Sequence, residues 1–171
     1  MTNRNEFAEK IAAYLHQRLL VIETVVAIIV LISIGLRANN VSSGGAILTV
    51  VLSALALVYF FTAYHIDLSV TTAMEMFVNK LTAYALSTVT IGLLFFIQSW
   101  PSPKSMILVS SSILVFVFIY GLIKTKNTKT IIRSAIFLIL ASCIYFIPRE
   151  KFEELHIITI QPIDSVSVAN R

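Results

Sequence analysis

The chain of 171 residues is poor in charge, cysteine, proline and glycine. Charged residues make up 13% of it, about half the share of roughly 25% that is usual in globular proteins, whereas hydrophobic residues make up 57%. A soluble domain of this size has too much surface to cover with so few charges, so the composition excludes a soluble fold. Disorder is excluded because it requires low hydrophobicity. The mean hydropathy of +0.88 indicates a small polytopic membrane protein.

The scarcity of reactive groups restricts the possible chemistry. The single cysteine, Cys143, excludes an internal disulfide, a cysteine-based metal site and a dithiol redox pair. The sequence also has no HExxH helix, no Walker motif and no Gly-rich phosphate loop. We therefore predict that the protein is not an enzyme and has no catalytic residue, no cofactor and no metal. The pI of about 9.3 does not imply nucleic-acid binding.

Apolar stretches long enough to cross about 30 Å of hydrocarbon, which takes roughly 17–25 residues, dominate the middle of the chain. The predicted spans cover residues 19–36, 46–63, 81–100, 106–123 and 131–147. The fifth has only 14 uncharged residues after Arg133, whose side chain can snorkel to the interface, so four spans is the alternative to five. The predicted fold class is all-α, with a transmembrane bundle over residues 19–147.

The two ends of the chain differ from this apolar middle. Residues 1–18 carry the apolar stripe of an amphipathic helix, which either continues into the first span or lies along the membrane surface. Residues 148–171 form a polar tail. Its β-branched run 157–168 favours extended structure, which either adds an edge strand to a partner or stays loose.

Basic residues determine the predicted orientation. With five spans, eight Lys and Arg residues fall on the side of the N-terminus and five on the other side. The cluster of four between Lys124 and Arg133 decides the orientation, and its first explanation is topogenic charge, with an anionic-lipid site second. We predict a cytoplasmic N-terminus in the inner (plasma) membrane of a bacterium.

Three polar residues are candidates for function. Glu23 is the only acidic residue inside a predicted span, and a carboxylate there is a functional-site hypothesis by default. Because it lies only about 6 Å from the start of its span, pairing with a nearby Lys or Arg at the interface is the first interpretation and ion coupling the second. Glu75 and Asn79 share one helix face at the entry of the third span, which suits either a solvated helix end or a water-filled vestibule.

Other polar residues are interpreted structurally. His65 and Asp67 stand two apart in a loop without a further ligand cluster, so we interpret them as part of an interfacial loop rather than a metal or acid–base site. The hydroxyl residues within the third and fourth spans can bond helix carbonyls or a neighbouring helix, and we interpret them as packing residues rather than as nucleophiles. They are Ser87, Thr88, Thr90, Ser110, Ser111 and Ser112.

The segment joining the third and fourth spans resembles a known family. Residues 92–101 read Gly-Leu-Leu-Phe-Phe-Ile-Gln-Ser-Trp-Pro and are followed by Met-Ile-Leu at 106–108. This pattern resembles the transmembrane hairpin of GldL, the inner-membrane motor subunit of bacterial gliding and type IX secretion, over residues 85–120. The resemblance implies the hairpin architecture. Ser99 stands in place of that family's histidine, and residues 113–115 lack its proton-carrying glutamate.

These features favour a small non-catalytic integral membrane protein that is a subunit of a membrane assembly. Its expected partners are the lipid bilayer and, through helix packing, copies of itself or other membrane proteins. The alternative is an ion or small-solute transporter or channel component that uses Glu23 or the Glu75/Asn79 face.

Overall fold

The computed structural model describes residues 2–39, 41, 43–64, 72–124, 128–154 and 158. In chain order, the helices of this described part are α1 (Thr2–Ala38), α2 (Ser43–Thr62), α3 (Ala73–Ile97), α4 (Pro103–Lys124), α5 (Thr128–Phe146) and α6 (Arg149–Glu154). Four of them are long and apolar enough to cross a membrane, and α5 is a shorter apolar helix. The predicted all-α polytopic membrane fold is therefore confirmed. Apart from residue 158, the predicted extended run 157–168 lies outside the described residues.

The helices pack in chain order around α3. Each of α1 to α5 lies against the next, and α5 also contacts α3. In the most apolar stretch of α3, 61% of the residues are buried, against 11% in α1. The core between α2, α3 and α4 contains Leu48, Leu52, Leu55, Leu86, Val89, Ile107 and Leu114. The fold therefore has α3 at its centre and α1 at its margin.

The outer faces of the helices are strongly apolar. Leu31 of α1, Val50 of α2, Ile123 of α4 and Ile139 of α5 each expose more than 60% of their surface. In a soluble monomer such surfaces exceed the usual apolar patches and mark an interaction or membrane site. On a membrane protein they are the surfaces that face acyl chains.

Helix α1 continues without a break from the N-terminal segment into the first predicted span. Its 37 residues are about 55 Å long, at 1.5 Å per residue, whereas the hydrocarbon core is about 30 Å thick. Of the two alternatives for residues 1–18, the structure has the continuous helix. The physical reason is that no glycine or proline precedes Gly35 in the sequence.

The third helix ends at Ile97, three residues before the end of the predicted span. Ser99 has a φ of 58°, and the N–H of Trp100 donates to the carbonyl of Phe95 at 2.9 Å, which is the Schellman pattern of a helix C-terminus. Glycine usually occupies the left-handed position in this motif, so the sequence pattern does not reveal it. Pro101 follows and disfavours helix at the residue before it.

Glycines allow two pairs of helices to approach closely. A methyl group added at Gly44 would lie 2.8 Å from the carbonyl oxygen of Ser33 in α1. A methyl group added at Gly92 would lie 2.8 Å from Cγ1 of Ile107 in α4. A side-chain carbon can move aside, whereas the backbone oxygen of Ser33 moves only with its helix. The approach of α1 to α2 is therefore the more restrictive of the two.

We expect Gly44→Ala to lower the free energy of unfolding by about 2 kcal/mol, because overpacking forces α1 away from α2. Gly35→Ala is the matched control, since a methyl group there meets no atom within 4 Å. Alanine favours helix, so the control is expected to be neutral or to stabilise by up to about 1 kcal/mol. Thermal unfolding of the purified protein in detergent measures both variants. Equal midpoints would contradict the close contact of α1 with α2.

Candidate functional site

The carboxylate of Glu23 is bound by side chains from two other helices. The guanidinium of Arg133 in α5 contacts both of its oxygens, through Nε on Oε1 and through Nη2 on Oε2 at 2.9 Å. The hydroxyl of Tyr59 in α2 donates to Oε1 at 2.8 Å. Bidentate, charge-assisted contacts of this kind are stronger than neutral hydrogen bonds. We refer to Glu23, Tyr59 and Arg133 as the ion-pair cluster.

The ion-pair cluster is largely removed from solvent. The side chains of Arg133 and Glu23 are 19% and 23% exposed, and Tyr59 is fully buried. The Tyr59 ring also packs edge-on against Phe137 of α5, with 5.8 Å between the ring centroids. A charge in such surroundings is tolerated when it is paired and hydrogen-bonded, as both charges are here. The cluster therefore joins three helices through one carboxylate.

The sequence contains a signal that identifies Arg133 as the partner of Glu23. Glu23 and Arg133 are the only charged residues within the five predicted spans, and their charges are opposite. Charged side chains inside membranes usually pair with one another, which predicts this contact across 110 residues of sequence. Tyr59 has no comparable signal, because nothing in the local pattern separates it from the other aromatic residues of α2.

A half-open pocket of about 80 Å³ lies beside the ion-pair cluster, and we refer to it as the polar cavity after the polar side chains in its lining. It is formed at the end of the bundle where α1 enters, α2 ends, and α3 and α5 begin. Its polar lining consists of His16, Tyr59, Thr62, Asn79, Lys80, Thr82, Thr130 and Arg133. Its apolar lining consists of Leu19, Ala63, Ala83 and Leu86. Because one water needs roughly 10–15 Å³, the cavity has room for about five to eight waters.

The two candidate residues on α3, Glu75 and Asn79, differ in their position relative to the polar cavity. Asn79 lines the polar cavity, one helical turn after Glu75. Glu75 lies in the first turn of α3, outside the cavity lining. Its backbone N–H donates to the hydroxyl of the N-cap residue Thr72 at 3.3 Å. A carboxylate in that position is stabilised by the helix dipole. The site therefore includes Asn79 and leaves Glu75 outside.

The hydroxyl groups of the spans are bonded mainly within their own helices. Thr90 donates to the carbonyl of Leu86 at 2.7 Å, and Ser110 donates to that of Met106 at 2.7 Å. Ser87 differs, since its hydroxyl reaches the carbonyl of Ala56 in α2 at 2.9 Å. One of these hydroxyl groups thus joins two helices directly.

At the opposite end of the bundle, side chains of the described residues join neighbouring elements. Gln98 donates from Nε2 to the carbonyl of Gly45 at 3.0 Å and to the hydroxyl of Thr49 at 2.6 Å, which ties the end of α3 to the start of α2. Phe152 of α6 packs edge-on against Phe96, with 5.1 Å between the ring centroids, and Ile158 is buried against the same core. This end therefore contrasts with the polar cavity at the other.

His65 and Asp67 lie outside the described residues. In the part of the chain that the structure describes, no three His, Cys, Asp or Glu residues are grouped in a way that could hold a metal ion.

Comparisons with protein-family models, with curated proteins and with solved structures find no match to this chain. The resemblance of the α3–α4 hairpin to the GldL family therefore stays a prediction. Functional argument for this protein depends on the ion-pair cluster and the polar cavity.

We expect Glu23→Gln and Arg133→Gln each to lower the free energy of unfolding by roughly 3 kcal/mol, because each leaves the partner charge unpaired within the bundle. The double variant is expected to lose less than the sum of the two, since it leaves no net charge behind. Glu75→Gln removes the same charge outside the site and is expected to change the free energy by less than about 0.5 kcal/mol. Denaturant unfolding of the four variants in detergent measures the coupling. Additive losses would contradict the pairing.

Proposed function

We propose that this chain is a small non-catalytic integral membrane protein that acts as a subunit of a membrane assembly. The observation that carries this proposal is the ion-pair cluster. Arg133 neutralises the only carboxylate of the predicted spans, and Tyr59 occupies one of its oxygens. The charge of Glu23 is thereby used to hold α1 against α2 and α5. A carboxylate that is paired and hydrogen-bonded in this way is better suited to holding helices together than to taking part in a reaction.

Helix α1 offers a surface for such an assembly. It packs extensively on α2, while Val21, Ile28 and Leu31 leave half or more of their surface exposed. The helix is also longer than the membrane is thick, so part of it projects beyond the bilayer. A copy of this chain or another membrane protein can therefore contact α1 both in the membrane and beside it, and lipid covers the remaining surface.

The second candidate function is a component of an ion or small-solute transporter or channel. The polar cavity favours it, because Asn79 and the cluster residues Tyr59 and Arg133 line a space large enough for several waters. At the opposite end of the bundle, Gln98 bonds across to α2 and Phe152 packs on Phe96. We therefore rank it second.

The resemblance to GldL bears on this proposal only through the architecture of the α3–α4 hairpin. The close contact of Gly92 with Ile107 and the tight turn at Ser99 support a stiff α3–α4 hairpin of that kind. A proton-driven motor would need a carboxylate in the second helix of the hairpin, and residues 106–123 have none. The proposed relationship is thus one of shared helical hairpin and membrane setting.

We propose five spans, with the N-terminus in the cytoplasm of a bacterial cell and the protein in its inner membrane. Single cysteines at Asn39, Thr128 and Ser167, in a Cys143→Ser background, test this with a membrane-impermeant maleimide. We expect labelling of positions 39 and 167 in intact cells, and of position 128 after permeabilisation. Labelling of position 128 in intact cells, or protection of position 167, would show that the topology is wrong.

The subunit proposal predicts that gentle purification of the tagged protein from its native membrane recovers defined membrane proteins, or further copies of the chain, in constant proportion. Chemical cross-linking followed by mass spectrometry identifies them. A chain that is monomeric after mild solubilisation and turns over a defined substrate would refute the proposal.

The neutral pair Glu23→Gln/Arg133→Gln separates the two candidate functions. If the ion pair is structural, this double variant keeps the assembly and the phenotype, because both side chains retain hydrogen-bonding groups and no charge is unpaired. If Glu23 couples ion movement, the double variant loses any function that depends on the proton-motive force. The measurement is the phenotype at matched protein level, with Glu75→Gln as the control for charge. If the double variant loses the phenotype and Glu75→Gln keeps it, the transporter becomes the leading candidate function.

A further inference from the structure

We propose that the polar cavity binds an anionic phosphate group, either the headgroup phosphate of a membrane lipid with net negative charge or a free phosphate. The proposal goes beyond the subunit function and does not depend on it. It stands on the charge balance of the cavity, on its hydrogen-bond donors, and on its size and position.

The charge balance of the cavity is positive. Lys80 and Arg133 line it, and the described residues of its lining include no Asp or Glu. The carboxylate of Glu23 neutralises the charge of Arg133 through two contacts to its guanidinium. The charge of Lys80 is then the excess, and a ligand with one negative charge would balance it.

The donors of the cavity suit the oxygens of a phosphate. Arg133 uses its Nε and one Nη2 proton on Glu23, out of the five N–H donors of a guanidinium. Thr62 and Thr82 donate to carbonyls of their own helices at 2.7 Å, which leaves their oxygens as acceptors. Lys80, Asn79 and the remaining protons of Arg133 are the donors along the wall, and Thr130 adds a hydroxyl. Phosphate oxygens are acceptors that Arg and Lys bind preferentially.

The size and position of the cavity agree with this ligand. A volume of about 80 Å³, enough for about five to eight waters, also has room for the five heavy atoms of a phosphate. The cavity lies at the end of the bundle where α3 and α5 begin, with Lys80 and Arg133 in its lining. Basic pockets between transmembrane helices on the cytoplasmic side are typical binding places for phosphate headgroups.

The test uses the full-length protein purified in a neutral detergent. Short-chain phosphatidylglycerol, short-chain phosphatidylcholine and inorganic phosphate are titrated separately, and the thermal unfolding midpoint is recorded. We expect phosphatidylglycerol or inorganic phosphate to raise the midpoint in a saturable manner. We expect Lys80→Gln to weaken that binding about fivefold, the factor that corresponds to about 1 kcal/mol for one basic residue at an anionic surface.

Matched variants keep the result specific to the cavity. Lys104→Gln removes the same charge at the opposite end of the bundle and is expected to leave the affinity within about twofold, because charges a Debye length or more from the ligand are screened. Thr130→Val removes a lining hydroxyl while preserving shape, and weaker binding in this variant supports the proposal independently of Lys80.

The three probes distinguish the sources of the phosphate. Saturable stabilisation by phosphatidylglycerol alone identifies a lipid headgroup, and stabilisation by inorganic phosphate identifies a free phosphate. The proposal is overturned if phosphatidylcholine stabilises as much as phosphatidylglycerol while inorganic phosphate has no effect. It is equally overturned if Lys80→Gln and Lys104→Gln bind alike.

Discussion

The ion pair between Glu23 and Arg133 is the interaction on which the arrangement of the outer helices depends. Within a membrane, burial of apolar surface does not drive helices together, because lipid is as apolar as the side chains. Helix α1 has extensive packing on α2. Its connection to α5, more than a hundred residues further along the chain, is made by two charge-assisted contacts, with Tyr59 of α2 bonded to the same carboxylate. One carboxylate therefore sets the relative positions of three helices.

The same pair bears on the free-energy cost of placing the shortest apolar helix in a bilayer. At 19 residues, α5 is about 28 Å long, close to the thickness of the hydrocarbon core, but its first turns include Arg133. An unpaired arginine within the hydrocarbon is costly, and pairing with Glu23 reduces that cost. The start of α5 shares a cavity with Thr82 of α3, and the segment after α5 places Phe152 on Phe96, about 21 Å further along α3. Helix α5 thus lies beside α3 over a length comparable to the thickness of the hydrocarbon core.

Hydropathy predicts the fold well because helices satisfy their own backbone hydrogen bonds, which hydrocarbon requires. What it misses is decided by single residues and by tertiary packing. The end of α3 at Ile97 depends on a left-handed serine where glycine is usual, and no periodicity reports that. Glu23 and Asn79 are visible as polar residues in unusual places. Their neighbours Arg133 and Tyr59 come from helices that no local pattern brings to α1, and only the pairing of opposite charges in a membrane indicates the first of them.

The two ends of the bundle are built on different physical principles, and this difference limits the possible functions. At one end, charged and hydroxyl side chains such as Lys80 and Thr130 surround a space that can hold water or an anion. At the other end, Gln98 bonds across to α2, and Phe152 packs on Phe96. A transporter needs a site that both sides of the membrane can reach in turn, usually near the midplane between broken helices. Here the ion-pair cluster and the polar cavity lie at one end and the long described helices run unbroken through the core, which suits a protein that binds at one membrane surface and packs within the membrane.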